Sequence, residues 1–113
     1  MADDCIFCRI VRREIPAAIV HEDDHCVAIR DINPQAPVHI VIITRKHVAS
    51  LDNASDPAQL GALAIAARDL ARNEKIATSG YRTVVNTNSN GGQTVFHLHM
   101  HLLGGRHMTW PPG

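Results

Sequence analysis

Aromatic side chains and net charge are both scarce in this chain. Aromatic residues make up 4% of its 113 residues, and eleven basic residues balance eleven acidic ones. With so few aromatic rings, the core must be built from Ile, Val, Leu and Ala, and the length predicts one domain over residues 1–113. The balanced charge excludes a global field that would attract nucleic acid or an anionic membrane, so neither partner is expected. An anionic ligand would have to be held by local groups.

The sequence also lacks a membrane-spanning run and an export signal. Its first residues, MADDC, contain no basic segment followed by an apolar one, and no stretch approaches the length of a bilayer span. We therefore expect a soluble, unexported protein with a cytoplasmic location. Three cysteines are an odd number. In a cytosolic chain the pair in CIFC, Cys5 and Cys8, favours metal binding or redox chemistry over a structural disulfide.

Hydrophobic patterning predicts an α+β fold with an antiparallel sheet of about five strands, one long helix and one short helix. CIFCRIVRREIP favours the short helix, AIVHEDDHCVAIRD a β-hairpin, and VHIVIIT a central strand covered on both faces. GYRTVVNT and TVFHLHMHLLGG predict two more strands, with NSNGG as a turn. The long helix is expected from Pro57 to Ile76 with Asp56 as its cap. Its apolar stripe comprises Leu60, Leu63, Ala64, Ala67, Leu70 and Ala71.

Histidine is abundant, with eight in the chain and three at alternate positions in HLHMH. On a strand, His97, His99 and His101 would project from one face. The pattern leaves two kinds of chemistry open. Two of the histidines and a third ligand could hold a catalytic zinc that activates water. Alternatively, one imidazole could attack phosphorus while its neighbours supply protons and positive charge. The opposite face of the strand would pack through Phe96, Leu98, Met100 and Leu102.

The segment from His97 to Leu103 has the H-φ-H-φ-H-φ-φ pattern of the histidine-triad (HIT) superfamily, which almost the whole chain resembles. The similarity extends through IFCRIVRREIPA, DINPQAPVHIVIITRKH and YRTVVNTNSNGGQTVFHLHMHLLGGRHMTWPPG, and the closing GGRHMTWPPG resembles the Hint branch. The resemblance implies a HIT-like fold that dimerises into a continuous sheet. It also implies hydrolysis of purine nucleoside 5′-phosphoramidates, such as adenylyl-lysine, with AMP- or GMP-type nucleotides as ligands.

The same resemblance implies roles for the histidines. His99 would be the nucleophile that forms a nucleotidyl-histidine, and His101 would contact the α-phosphate and assist the leaving group. His39 would complete the relay that sets the protonation and orientation of the nucleophile. The NSNGG turn favours positive φ, and its glycines could bring backbone N–H groups close to a phosphate. By resemblance, the phosphate site is lined by Asn86, Gly92, Thr94 and His101.

A nucleoside site is implied beside the triad. Asp31 would bind the ribose, and a carboxylate that accepts two hydroxyl protons suits a vicinal diol. The base would lie in an apolar slot, although on the sequence alone the same residues are simply core. These residues are Ile6, Phe7, Ile10, Ile15, Ile29, Ile32 and Val41.

Two further expectations concern zinc and the C-terminal tail. The resemblance implies a structural zinc held by Cys5, Cys8, His47 and His97, a closed tetrahedral set that would remove His97 from catalysis. The TWPPG tail is stiff and extended because of its two prolines. In Hint dimers this tail crosses to the partner's active site, which implies that Trp110 influences substrate choice in trans.

The sequence supports three hypotheses about function and one about the oligomeric state. The phosphoramidase leads, and a dinucleoside polyphosphate hydrolase shares the triad but is disfavoured by the WPPG ending. A nucleotide-binding scaffold with incidental catalysis is the third. We also expect a C2 homodimer, because the long helix is more apolar than one face of a small monomer requires.

Overall fold

A single antiparallel sheet organises the structure, a computed structural model that describes residues 4–113. The first three residues, part of the MADDC segment interpreted above, lie outside the described part. The strand order is β1-β2-β3-β5-β4. The predicted α+β architecture is confirmed, with α1 and α2 as the short and long helices and a 3-10 turn at Leu51–Asn53. The elements are α1 (Ile6–Val11), β1 (Ile19–Glu22), β2 (Cys26–Arg30), β3 (Val38–Thr44), α2 (Pro57–Asn73), β4 (Tyr81–Val84) and β5 (His99–Gly104).

Strand β3 is the centre of the sheet and has apolar side chains on both faces. Ile40 and Ile42 pack on the side covered by α2, whereas Val41 and Ile43 pack on the side covered by α1. Because β3 is paired on both edges, by β2 and by β5, its backbone groups are satisfied within the sheet. The nearly continuous apolar run VHIVIIT therefore predicted a central strand correctly.

The register between β3 and β5 decides where the histidines point. Val41 lies opposite His101, and Ile43 lies opposite His99. Residues that face each other in an antiparallel pair share one face of the sheet. Both histidines therefore lie on the α1 face, and α2 covers the other.

Helix α2 begins as predicted but ends earlier. The Asp56 carboxylate accepts a hydrogen bond from the backbone N–H of Ala58 at 3.0 Å, and Pro57 occupies the first turn. The helix ends at Asn73 rather than Ile76, because Lys75 has φ +62°, in the left-handed region. No helix in residues 4–113 combines the length and the apolar character required to cross a bilayer.

The buried stripe of α2 matches the expectation at Leu63, Ala67, Leu70 and Ala71, whereas Leu60 is only half-buried and one residue is exchanged. Ala64, which was expected in the stripe, is exposed, whereas Ala66 is buried. The difference is a small rotation of the buried face about the helix axis. The buried apolar residues of the helix are Leu63, Ala66, Ala67, Leu70 and Ala71.

The last strand is shorter than the sequence predicts. It begins at His99 rather than near Thr94, because the backbone N–H of Leu98 donates to the Val48 carbonyl at 2.7 Å, outside the sheet. Phe96 was expected to pack beneath the strand, but its side chain is 52% exposed. The packing expectation is confirmed for the residues on the α2 face, Leu98, Met100 and Leu102.

Candidate active site and metal cluster

His99 has a defined tautomer. Its Nδ1 lies 2.6 Å from the backbone carbonyl oxygen of His97. A carbonyl can only accept, so Nδ1 carries the proton and Nε2 keeps the lone pair. Burial lowers the pKa of His99, which favours the neutral ring. A buried neutral imidazole with a free Nε2 lone pair is equipped for nucleophilic attack.

A second hydrogen-bond chain fixes the tautomers of His39 and His101. The backbone N–H of Gln35 donates to His39 Nδ1 at 3.0 Å, so the proton of neutral His39 lies on Nε2. That Nε2 is 2.9 Å from His101 Nδ1 and donates to it. Neutral His101 must then carry its own proton on Nε2. The chain therefore leaves His101 with an N–H donor on the nitrogen that points away from His39.

His101 is neutral over most of the pH range. Burial, reinforced by the neighbouring His99 and His39, lowers the pKa of His101 to about 4. The Oδ2 atom of Asp31 lies 3.4 Å from His39 Nε2 and adds a negative charge at the outer end of the chain. The two rings and the carboxylate therefore form one continuous chain along which a proton can move.

The same groups are close enough to hold a cation, but their hydrogen bonds favour the proton chain. The candidate ligand atoms of Asp31, His39 and His101 lie within 4.8 Å of one another. A metal on His39 Nε2 would displace the ring's only proton, because Nδ1 already accepts from Gln35. The arrangement thus supports imidazole chemistry over the catalytic-zinc alternative.

The expected relay and the group that holds His99 are separate in the structure. His39 was expected to complete a relay that sets the protonation and orientation of His99; its ring bonds to His101, and the backbone carbonyl of His97 holds His99. No side-chain pattern can reveal a backbone carbonyl as the orienting group. Phe7 is a second unexpected neighbour, and its ring packs edge-on to His99 with 4.9 Å between centroids.

The expected apolar slot exists as a cavity of about 410 Å³ on the α1 face. It borders the histidines because Phe7, which contacts His99, and Val41, which pairs with His101, both belong to its wall. All seven residues expected for the base line it, namely Ile6, Phe7, Ile10, Ile15, Ile29, Ile32 and Val41.

Asp31 stands at the rim of this slot. Its Oδ1 accepts a hydrogen bond from the backbone N–H of Asn33 at 2.8 Å, which holds the carboxylate in place. The other oxygen, Oδ2, is the one nearest His39. The carboxylate therefore faces both the cavity and the histidine chain, as a ribose-binding group beside the reacting phosphate would have to.

The NSNGG segment forms the predicted turn. Asn88 and Gly92 have φ +60° and +79°, and a Cβ on Gly91 would collide with the backbone of Thr87. The N–H of Gly92 donates to the Ser89 carbonyl at 3.0 Å, so this amide is used within the turn. Within residues 4–113, the hydroxyl and backbone N–H of Thr94 and the side chain of Asn86 make no hydrogen bond. Asn86 and Thr94 therefore keep donors that a ligand could use.

A second histidine cluster lies beside the first. His97 Nδ1 is 3.2 Å from Cys5 Sγ, 3.4 Å from Cys8 Sγ and 3.1 Å from His47 Nδ1. Zn–S bonds of about 2.3 Å and Zn–N bonds of about 2.0–2.1 Å place tetrahedral ligand atoms about 3.3–3.8 Å apart. The four atoms therefore fit a tetrahedral ion after small movements.

Hydrogen bonding also prepares His97 for a metal. Its Nε2 donates to the Thr44 carbonyl at 2.7 Å, which leaves the Nδ1 lone pair directed at the sulfur atoms. Burial lowers the pKa of His97 to about 4, so the ring is neutral as a ligand must be. Thr44 was not expected to take part, since nothing in VHIVIIT distinguishes its carbonyl.

Trp110 lies on the far edge of the sheet. The side chain is 81% exposed, and its ring is 6.0 Å from the Arg82 guanidinium on β4. Arg82 also donates to the Thr109 carbonyl at 2.9 Å. The tail is therefore held along the edge strand of its own chain.

Known proteins resemble this chain in sequence and in structure. The HIT domain profile matches residues 12–108. The purine nucleoside phosphoramidase of Escherichia coli strain K12 is 49% identical over 108 residues, which cover 94% of this chain and 91% of that protein. A HIT family hydrolase from Legionella pneumophila Philadelphia 1 is 51% identical with a TM-score of 0.95, covering 97% of this chain and 100% of the other.

A more distant structure is informative about metal. A zinc-bound histidine triad family protein from Mycobacterium smegmatis is 28% identical with a TM-score of 0.84, over 94% of this chain and 78% of that one. The fold, the triad geometry and the profile match agree with one another. This chain belongs to the HIT domain family.

Proposed function

We propose that this protein is a hydrolase of purine nucleoside 5′-phosphoramidates that acts through a covalent nucleotidyl-histidine on His99. The observation that carries the proposal is the pair of opposite tautomers at alternate positions of one strand, on the same face. His99 has a bare Nε2, and His101 has a protonated Nε2. The phosphoramidase and hydrolase names of the relatives support the same reaction class.

The first step forms the intermediate. His99 Nε2 makes a bond to phosphorus as the bond from phosphorus to the leaving nitrogen breaks. His101 Nε2–H gives its proton to that nitrogen, so a neutral amine leaves. His39, bonded to His101 Nδ1, passes a proton to that ring and takes up a replacement from solvent, so neither ring becomes an imidazolate. The Asp31 carboxylate stabilises the positive charge that this exchange requires.

The second step releases the nucleotide. A water molecule attacks phosphorus and gives its proton to His101 Nε2, and the bond from phosphorus to His99 breaks. The products are a nucleoside monophosphate and the original neutral rings, and the proton taken up in the first step returns to the solvent. Neutral imidazoles suit this sequence because they do not repel the phosphoryl oxygens as a carboxylate would.

Steady-state hydrolysis of a fluorogenic adenosine phosphoramidate tests the proposal directly. We expect a higher kcat/KM for this substrate than for a diadenosine polyphosphate, and an adenylyl adduct on His99 in protein denatured without acid. A preference for the polyphosphate would instead indicate the rival hydrolase. Binding of AMP without turnover of either substrate would indicate a scaffold and overturn the proposal.

A structural zinc is part of the proposal. The four donors Cys5, Cys8, His47 and His97 fit a tetrahedral ion, and a HIT relative is named as zinc-bound. Cys5 also caps α1, because its Sγ accepts from the backbone N–H of Cys8. An ion there would join α1 to the segments that carry His47 and His97, and would contribute to stability.

We also propose a homodimer. Strand β4 is an edge of the sheet, and its Tyr81 is 39% exposed, while Ile65 on α2 is 50% exposed. A second β4 could pair with this edge and extend the sheet across both subunits. Since Trp110 lies against β4, the tail would be at the boundary between subunits, which supports a role in trans.

A further inference from the structure

Gln93 is a buried polar residue in the middle of the loop that follows the NSNGG turn. Its side chain is 7% exposed, and all of its hydrogen bonds go to the backbone. Oε1 accepts from the N–H of Asn88 at 2.9 Å, and Nε2 donates to the carbonyls of Ala49 at 2.9 Å and Val95 at 3.1 Å. One amide thus joins the start of the loop, its end and a separate segment of the chain.

These three bonds restrain a loop that no regular element holds. The backbone N–H of Gln93 also donates to the Asn88 carbonyl at 3.1 Å, so backbone and side chain together close the turn. The next residue, Thr94, lies outside β5 and carries the unused hydroxyl and amide described above. Ala49, Thr94 and Val95 share the wall of a second cavity, of about 470 Å³.

We propose that Gln93 is a positioning residue that holds Thr94 and the preceding turn at the reacting phosphate. This inference rests on the proposed function, and it assigns a role to a residue that touches neither the nucleoside slot nor the histidines. Its effect is therefore on the reaction step. The slot walls belong to α1, β2 and β3 and the segments beside them, so the contacts to the base and ribose are retained when the loop is loosened.

The chain contains a matched control. Gln59 is 6% exposed, lies on α2, and donates through Nε2 to the Lys46 carbonyl at 3.2 Å. Gln59→Met and Gln93→Met remove the same buried amide and keep a side chain of similar length. We expect both to destabilise the fold, but the side-chain hydrogen bond of Gln59 goes to Lys46 and not to the loop.

The experiment measures kcat, KM and AMP affinity for wild type, Gln93→Met and Gln59→Met, well below the lowest melting temperature. A misplacement of about 1 Å can cost ~10²-fold in rate. We expect kcat of Gln93→Met to fall ten- to a hundredfold with less than a threefold change in AMP affinity. Gln59→Met should keep kcat within about threefold. Equal kcat losses in both variants, or none in Gln93→Met, would overturn the proposal.

A second variant gives a readout that general destabilisation does not produce. In Gln93→Glu the carboxyl faces the carbonyl oxygens of Ala49 and Val95. While protonated it can still donate to one of them, and when ionised it is repelled by both. We expect kcat of this variant to fall, relative to wild type, as pH rises, and identical pH profiles would contradict the inference. If wild type lacks phosphoramidase activity, the proposed function fails, and hydrogen exchange of the backbone amides in residues 88–95 then tests Gln93 independently. Exchange there should be faster in Gln93→Met than in wild type and Gln59→Met, and equal exchange rates would overturn the role of Gln93.

Discussion

His97 and His101 are four residues apart and have similar surroundings, yet their rings are prepared for different chemistry. Burial lowers the pKa of each to about 4, so both are neutral. The Thr44 carbonyl takes the Nε2 proton of His97 and exposes its Nδ1 lone pair. His39 donates to Nδ1 of His101 and leaves its Nε2 protonated. The comparison shows that the hydrogen-bond partner, more than the residue type or its pKa, decides which nitrogen offers a lone pair and which a proton.

The residue between them combines features of both. His99 donates from Nδ1 to a carbonyl, as His97 does from Nε2, but its ring packs against Phe7 in the wall of the apolar slot rather than against sulfur. The carbonyl that orients His99 belongs to His97 itself. An ion that holds His97 would therefore also hold the atom that orients the nucleophile, which joins the two clusters through one residue.

The largest expected effect is the loss of the nucleophile. His99→Asn removes the covalent route but leaves the slot and Asp31 in place, so turnover should fall by several orders of magnitude while AMP binds with near wild-type affinity. Single-turnover kinetics and calorimetry measure the two quantities. His107→Asn, at an exposed position, is the control. Substantial hydrolysis by His99→Asn would rule out the nucleophile assignment.

The acid end of the triad should matter less. His101→Ala removes the Nε2 proton donor, and a general acid typically contributes ~10²–10⁴-fold. The loss should shrink for a substrate whose leaving amine is already a weak base, because that nitrogen needs less protonation. The measurement compares the rates for one substrate with a weakly basic leaving amine and one with a strongly basic leaving amine. A loss that is the same for both leaving groups would contradict the role of His101 as an acid.

Removal of a metal from the cluster that contains His97 should lower the stability of the fold. We expect about one zinc per chain in untagged protein, and removal by a chelator should lower the melting temperature by at least about 10 °C, since 1 kcal/mol corresponds to about 4–8 °C in a domain of this size. Cys8→Ser should reproduce the shift, and Cys26→Ser, outside the cluster, should not lose zinc. Metal analysis that finds no zinc would contradict this prediction, and the four side chains would then be held together by hydrogen bonds alone.

The smallest expected effect concerns stability in acid. The pKa of His101 is about 4 in the folded chain and about 6.5 in an unfolded one, so the unfolded state binds more protons between these values. Stability attributable to His101 should therefore fall as pH decreases from 6.5 to 4, by about 2 kcal/mol after allowance for partial exposure. Urea unfolding of wild type and His101→Gln checks this. Equal pH slopes would show that the ring titrates normally.

Much of the fold could be predicted because local patterns and tertiary packing agree. Alternation in HLHMH put Leu98, Met100 and Leu102 on the packed face, and the Asp56–Pro57 pair marked the start of α2. The errors lie where backbone geometry overrides the pattern. Lys75 ends α2 early, and the bond from Leu98 to Val48 keeps the residues before His99 out of the sheet. Phe96 fits the alternating sequence pattern, but it lies before the start of β5, so its side chain is not placed on the packed face.

The sequence alone determined which residues could do chemistry and the order of the elements that carry them. The sequence itself shows HLHMH, CIFC and the single histidines at positions 39 and 47. The tertiary structure decided which of them meet, since His47 and His97 are fifty positions apart and His39 and His101 sixty-two. It also decided where each ring proton lies, because the partners are backbone groups of His97, Thr44 and Gln35. Every residue has such groups, so their position in space, and not their identity, selects one nitrogen over the other.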